Sequence, residues 1–192
     1  MPTERLALPG GRDVRASLDG DGDASAVVVA CPPHPRQGGD RHDARLRAVS
    51  DALDADCLRF DYGPWTEGRG ERADARTACD WAAERYDRVG LFGYSFGGGV
   101  ALAAAEGVDA VAALAPVARL DDGTDVVAAV SEIDAPLWVG YGTRDDVVDA
   151  DRVAAAVAEE GGTTTTFSAG HGVTGREAAV GEAVAEWFDG RF

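Results

Sequence analysis

The chain has 192 residues, 45% of them hydrophobic, with 34 acidic against 18 basic side chains and a formal charge of −16. That size and apolar content fit one folded domain spanning residues 1–192, not a disordered acidic chain. A surface this acidic repels nucleic-acid phosphates and anionic lipid, and no apolar run approaches the length of a membrane-spanning helix, so neither nucleic acid nor membrane is expected as a partner.

The opening Met1-Pro2-Thr3-Glu4-Arg5 lacks the basic-then-apolar pattern of a secretory leader. Cys31, Cys57 and Cys79 form no CxxC pair and their number is odd, which argues against a disulfide framework or a cysteine zinc site. A reducing, cytoplasmic location is expected. All the bases are Arg, and Lys and Asn are absent. This composition resembles that of cytosolic proteins of salt-accumulating halophiles, where molar salt screens self-repulsion within roughly 3 Å.

In chain order, short runs at 5–8 and 13–18 flank Pro9-Gly10-Gly11 and predict an N-terminal hairpin on the sheet edge. Apolar runs at 26–31, 57–60, 89–92, 111–115 and 137–141 predict buried strands, and 163–167 a last strand. Helical spacing fills the gaps at 41–54, 72–86, 96–106, 150–160 and 174–188, with a short helix at 125–132. Asp40 is the expected N-cap of the first helix, whose Leu46, Val49 and Leu53 share a face. Along the last helix, Ala178, Val180, Val184, Trp187 and Phe188 form the apolar set. The alternation implies an α/β fold, a mostly parallel sheet with helices on both faces and chemistry in the loops beyond the strand ends.

After the run 89–92 comes Gly93-Tyr94-Ser95-Phe96-Gly97, a G-x-S-x-G motif between a strand and a helix. A sharp turn there strains the serine backbone and lifts its hydroxyl toward a helix N-terminus, while the glycines let neighbouring backbone close in. No GKS/T or GxGxxG spacing supports a phosphate loop instead. Ser95 is therefore the candidate nucleophile. Of the three histidines, His171 follows the last strand between Gly170 and Gly172 and is the candidate base. Asp145 or Asp146 follows the strand at 137–141 and would orient it, with Asp121 or Asp122 after the preceding strand as the alternative. The oxyanion hole needs two amides: that of Phe96, and one from the loop Pro32-Pro33-His34-Pro35-Arg36-Gln37. Proline has no N–H, so His34 is the nearest donor. His34, Asp40, His42 and Asp43 could suggest a metal site, but a helix over 41–54 sets His42 and Asp43 on different faces. No metal and no cofactor is expected.

These motifs resemble the α/β-hydrolases, and more narrowly the small lidless hydrolases of the dienelactone-hydrolase-like group. The resemblance runs from about residue 25 to the end of the chain. It rests on Cys31-Pro32-Pro33-His34-Pro35-Arg36-Gln37-Gly38-Gly39, on Arg59-Phe60-Asp61-Tyr62-Gly63, on the Ser95 elbow, on Gly142, Asp145 and Val148, and on Gly170-His171. It implies an α/β-hydrolase fold and selects Asp145 over Asp146 as the acid. Two departures are plain: Pro32 stands where the group has a histidine, and Ser95 where dienelactone hydrolases have cysteine. The 116–136 stretch leaves no room for a lid domain, so loops wall an open site, with Tyr62, Trp65 and Tyr94 as candidate lining. The implied activity is transfer of an acyl group from a small-molecule ester to water through a Ser95–His171–Asp145 triad. Acyltransferase, thioesterase, peptidase or a non-catalytic binding protein are the alternatives on the same fold.

Overall fold

The computed structural model describes residues 2–192. Eight strands form one sheet in the order β1-β2-β4-β3-β5-β6-β7-β8. They are β1 Thr3–Ala7, β2 Arg15–Asp19, β3 Ala26–Cys31, β4 Asp56–Phe60, β5 Arg88–Tyr94, β6 Ala110–Leu114, β7 Leu137–Gly142 and β8 Thr163–Phe167. The hairpin β1–β2 is antiparallel and joins the sheet antiparallel to β4, as the sequence predicts; β4, β3 and β5 through β8 run parallel.

The helices are α1 Ala44–Ala52, α2 Arg69–Ala83, α3 Phe96–Ala103, α4 Val126–Ala129, α5 Ala150–Glu159 and α6 Glu177–Asp189. Strand side chains alternate between two cores. Val27, Val29 and Cys31 point into the core under α2, α3, α4 and α5. Val28 and Ala30 point into the other, where α1 contributes Leu46 and Val49 and α6 contributes Val180, Val184, Trp187 and Phe188. Both faces of the central strands are dry, which is why they read as unbroken apolar runs.

Two local expectations are corrected. α1 is capped by Asp43, whose Oδ1 accepts the Arg45 N–H at 2.9 Å. Asp40 caps a turn just before it, accepting the His42 N–H at 2.8 Å. Two short acids three residues apart compete for a cap, and the upstream one is taken by the turn that leaves the Gly38-Gly39 loop. Ala178 lies exposed at the start of α6 and not in the core.

The β6–β7 connection holds only α4, a 3-10 turn at Val130–Glu132 and loops. It forms no lid, and the carboxyl edge of the sheet stays open there.

Candidate active site

Ser95 sits between β5 and α3 with φ 57° and ψ −119°. That backbone costs about 1–3 kcal/mol for a residue with a Cβ, and the surroundings must hold it. They do so through main-chain bonds. Ser95 donates to the Leu114 carbonyl at 2.8 Å, and its own carbonyl accepts from Gly99 at 3.1 Å and Val117 at 3.3 Å. The two motif glycines are sterically required. A Cβ at Gly93 would run into the Gly97 carbonyl, and one at Gly97 into the carbonyls of Cys31 and Pro32. The start of α3 thus presses directly on the end of β3.

His171 comes from the loop after β8. Its Nε2 lies 2.9 Å from Ser95 Oγ, and its Nδ1 lies 2.8 Å from Asp145 Oδ2. A carboxylate only accepts, so Nδ1 carries the hydrogen and Nε2 offers its lone pair to the serine hydroxyl. Asp145 is nearly enclosed, its side chain 3% exposed against 16% for His171. Its other oxygen accepts the amides of Val147 at 3.0 Å and Val148 at 3.3 Å, which fixes the carboxylate plane. Asp146 is exposed. Asp121 and Asp122 face elsewhere: Asp121 meets His34, and Asp122 accepts from Arg72 at 2.6 Å.

On the opposite side of Ser95, the Phe96 amide is the first of α3 and has no acceptor within the helix. The His34 ring lies 4.9 Å from the Phe96 ring, so the two residues expected to supply the oxyanion hole are neighbours. Of the expected lining residues, Trp65 packs on both, 4.5 Å from His34 and 5.5 Å from Phe96, and remains partly exposed.

Tyr62 and Tyr94 do not line the site. They are 9% and 4% exposed. Tyr62 lies beneath the loop after β3, its hydroxyl donating to the Pro32 carbonyl at 3.2 Å. Tyr94 lies beneath His171, ring centroids 5.5 Å apart, with its hydroxyl toward the His171 carbonyl at 3.4 Å. The Arg45 guanidinium covers its ring at 4.4 Å. Burial pushes both phenols above their ordinary values, for Tyr94 against the opposing pull of Arg45. Both tyrosines are supports, because a side chain adjacent to a strand end points into a core layer and not over the edge.

Sequence reasoning missed the groups that hold the Trp65 loop. Asp74, on the inner face of α2, accepts Arg12 Nε at 2.6 Å and the Gly63 N–H at 2.9 Å. Arg12, from the hairpin turn, also reaches the Pro64 carbonyl at 2.8 Å. Glu71, fully buried, accepts the amides of Thr66 at 2.9 Å and Gly68 at 2.8 Å. A signal existed: Glu71 and Asp74 share the α2 face with Ala75, Ala78 and Cys79, where carboxylates need buried partners. A helix predicted to start at residue 72 hid Glu71 as its first-turn acid.

His34, Asp40, His42 and Asp43 do not converge, and among the described residues no group of three or more His, Cys, Asp or Glu side chains is arranged to hold a metal ion. No helix among them is long and apolar enough to cross a membrane.

Sheet order, serine elbow and lidless β6–β7 connection together define an α/β-hydrolase fold of the serine-hydrolase kind. The dienelactone hydrolase family model matches residues 63–184, and the chain belongs to that family of hydrolases. Solved structures agree on the fold. An α/β serine hydrolase homologue from Coxiella burnetii superposes with TM-score 0.81 at 22% identity, covering 97% of each chain. A lidless α/β serine hydrolase from Xanthomonas campestris gives 0.77 at 23% identity, over 96% of this chain and 94% of its own. A dienelactone hydrolase from Anabaena variabilis gives 0.83 at 21% identity, over 100% and 98%. No curated protein matches the sequence.

Proposed function

We propose that this single-domain protein hydrolyses carboxylic esters of small molecules through an acyl-enzyme on Ser95. The observation that carries the reading is the unbroken hydrogen-bond line from Ser95 Oγ through His171 to Asp145 on a strained elbow. His171 Nε2 takes the hydroxyl proton as Oγ bonds to the ester carbonyl carbon, and the carbonyl electron pair moves onto oxygen. The Phe96 and His34 amides hold that oxyanion. When it collapses, the C–O bond to the alcohol breaks, and the leaving alkoxide takes the proton from His171. Water then repeats the sequence on the acyl-enzyme, and the carboxylic acid departs with Ser95 restored. Asp145 keeps the imidazole tautomer throughout and stabilises the imidazolium.

The open carboxyl edge favours water as the acceptor, since nothing there shields an acyl-enzyme from solvent. Esterases share the fold, including one from Pyrococcus furiosus with TM-score 0.82 at 16% identity. The acidic, lysine-free composition supports work in a salt-rich reducing cytoplasm and disfavours nucleic acid as a ligand. The test is fluorophosphonate labelling in molar KCl. Wild type should label on Ser95, while Ser95→Ala and His171→Ala should not, and a panel of esters and thioesters then ranks the leaving group. A folded wild type that takes up no label sinks the proposal.

A further inference from the structure

Beside Ser95 stands a second histidine–aspartate couple that the reaction above does not use. His34 Nδ1 accepts the Arg36 N–H at 3.2 Å, so that nitrogen carries no proton and the ring hydrogen sits on Nε2. Nε2 lies 3.1 Å from Asp121 Oδ2 and donates to it. This tautomer is the reverse of the one His171 holds, and it points the His34 N–H at the loop after β6.

The remainder of His34 is pinned as well. The ring lies between Trp65 and Phe96, and the side chain is 17% exposed. The carbonyl accepts from Gln37 at 2.9 Å and Gly39 at 3.1 Å. Between Pro32, Pro33 and Pro35, the His34 amide is the sole main-chain donor of that stretch. The far end of the couple is equally set. Asp121 sits in a turn closed by the Gly123 N–H on the Leu120 carbonyl at 2.9 Å. Next to it, the Asp122 amide donates to the Glu67 carbonyl at 2.6 Å, and the Asp122 carboxylate holds Arg72 at 2.6 Å. The Asp121 carboxylate therefore projects from a fixed turn.

We infer that the His34 side chain and Asp121 form a tether that sets the position of the His34 amide in the oxyanion hole. They are positioning residues, acting through a main-chain donor. The inference rests on the acyl-transfer reading. An oxyanion donor stabilises the transition state only where the oxygen will arrive, so a loosened amide lowers turnover while leaving ground-state binding alone.

The test uses the full chain in molar KCl, with an ester that wild type turns over and a trifluoromethyl ketone whose hydroxyl-adduct oxyanion occupies the hole. Asp121 is 53% exposed, so its replacement leaves the fold standing, as circular dichroism and melting will verify. Asp121→Ala should lose about 10- to 100-fold in kcat with KM within about twofold, and ketone affinity should fall by the same factor as kcat/KM. Asp121→Asn keeps an acceptor oxygen for Nε2–H and should retain most of kcat. His34→Ala combined with Asp121→Ala should be no worse than His34→Ala alone, because one tether is cut once. Wild-type kcat in Asp121→Ala overturns the tether. So does a loss confined to KM, or two single losses that multiply in the double variant. Wild type that fails to label on Ser95 instead sinks the acyl-transfer reading itself. Normal labelling with unaffected tether variants sinks the tether alone.

Discussion

Around the oxyanion side of Ser95, the loops after β3, β4 and β6 are bound together by ion pairs and by hydrogen bonds to carboxylates. Arg12 joins Asp74, Arg72 joins Asp122, and His34 meets Asp121, with Glu71 closing the Trp65 loop on its amides. On the side facing β7 and β8, the loop that carries His171 is held by main-chain bonds and apolar contact, with one side-chain clamp: the Arg144 guanidinium donates to Ser168 Oγ at 3.2 Å and to the Ser168 carbonyl at 3.1 Å. Thr143 donates to the Phe167 carbonyl at 2.8 Å and Arg144 to the Ala169 carbonyl at 2.9 Å, while Ala169 and Val173 are buried. The contrast suits the roles proposed for the two sides. Oxyanion donors must be preorganised before charge develops, which calls for a stiff, cross-linked scaffold. The base side needs one imidazole in one tautomer, and a single enclosed carboxylate, with Tyr94 packed beneath the imidazole, supplies that.

Damage on the base side should remove chemistry without removing stability. Ser95→Ala and His171→Ala should each lower kcat by about 10⁶, and Asp145→Asn by about 10⁴, since Asn can stabilise the wrong tautomer. The melting temperatures should stay close to wild type, because Asn keeps the oxygen that accepts from Val147 and Val148. Ester hydrolysis and calorimetry on the same samples check both halves of the statement, and a large melting shift in Ser95→Ala would break the comparison.

Damage on the other side should cost both. Asp74→Ala strands the Arg12 guanidinium and the Gly63 amide, which should cost about 3 kcal/mol in urea unfolding. Trp65 fluorescence should shift with it, and kcat should fall as the loop against His34 loosens.

A pH titration sharpens the comparison further, through a pair at the hairpin edge. Burial alone would push the Asp19 carboxyl up. Hydrogen bonds from Arg59 at 2.6 Å, Ser50 at 2.7 Å and Thr3 at 2.7 Å outweigh that and hold it below its ordinary value. A carboxyl lowered on folding contributes stability that is complete above its unfolded value and is lost as pH falls through the folded one. Urea unfolding between pH 7 and about pH 3 should therefore show the gap between wild type and Asp19→Asn narrowing as acid is added. A gap that widens in acid would contradict the assignment.

The smallest expected effect concerns the thiols. Burial pushes Cys57 and Cys79 up to about 12, and Cys31 well above its ordinary value. Thiolate is the reactive form, so Ellman's reagent at about pH 8 should leave native protein untouched and label all three cysteines after denaturation. Fast labelling of the native protein would show that a core layer opens.

Much of this architecture is legible in the sequence. Central parallel strands are dry on both faces, so Val27 through Cys31 and Val89 through Phe92 announce themselves as apolar runs. The elbow announces itself because only glycine fits at positions 93 and 97. The placement of His171 behind β8 follows from where loops must lie in such a sheet. Other features were invisible in one dimension. Whether Tyr62 and Tyr94 face the site or a core layer depends on where each strand ends. Whether Asp40 or Asp43 caps α1 depends on the preceding turn. That Arg12 reaches Asp74, and His34 reaches Asp121, depends on loops far apart in sequence meeting at one sheet edge. Sequence by itself determined the elements, the elbow and the order of its candidate chemical groups, because periodicity and steric necessity act locally. Only the tertiary structure decided which acids meet His34 and the arginines, because a carboxylate's partner is set by proximity in space and this chain offers 34 acids.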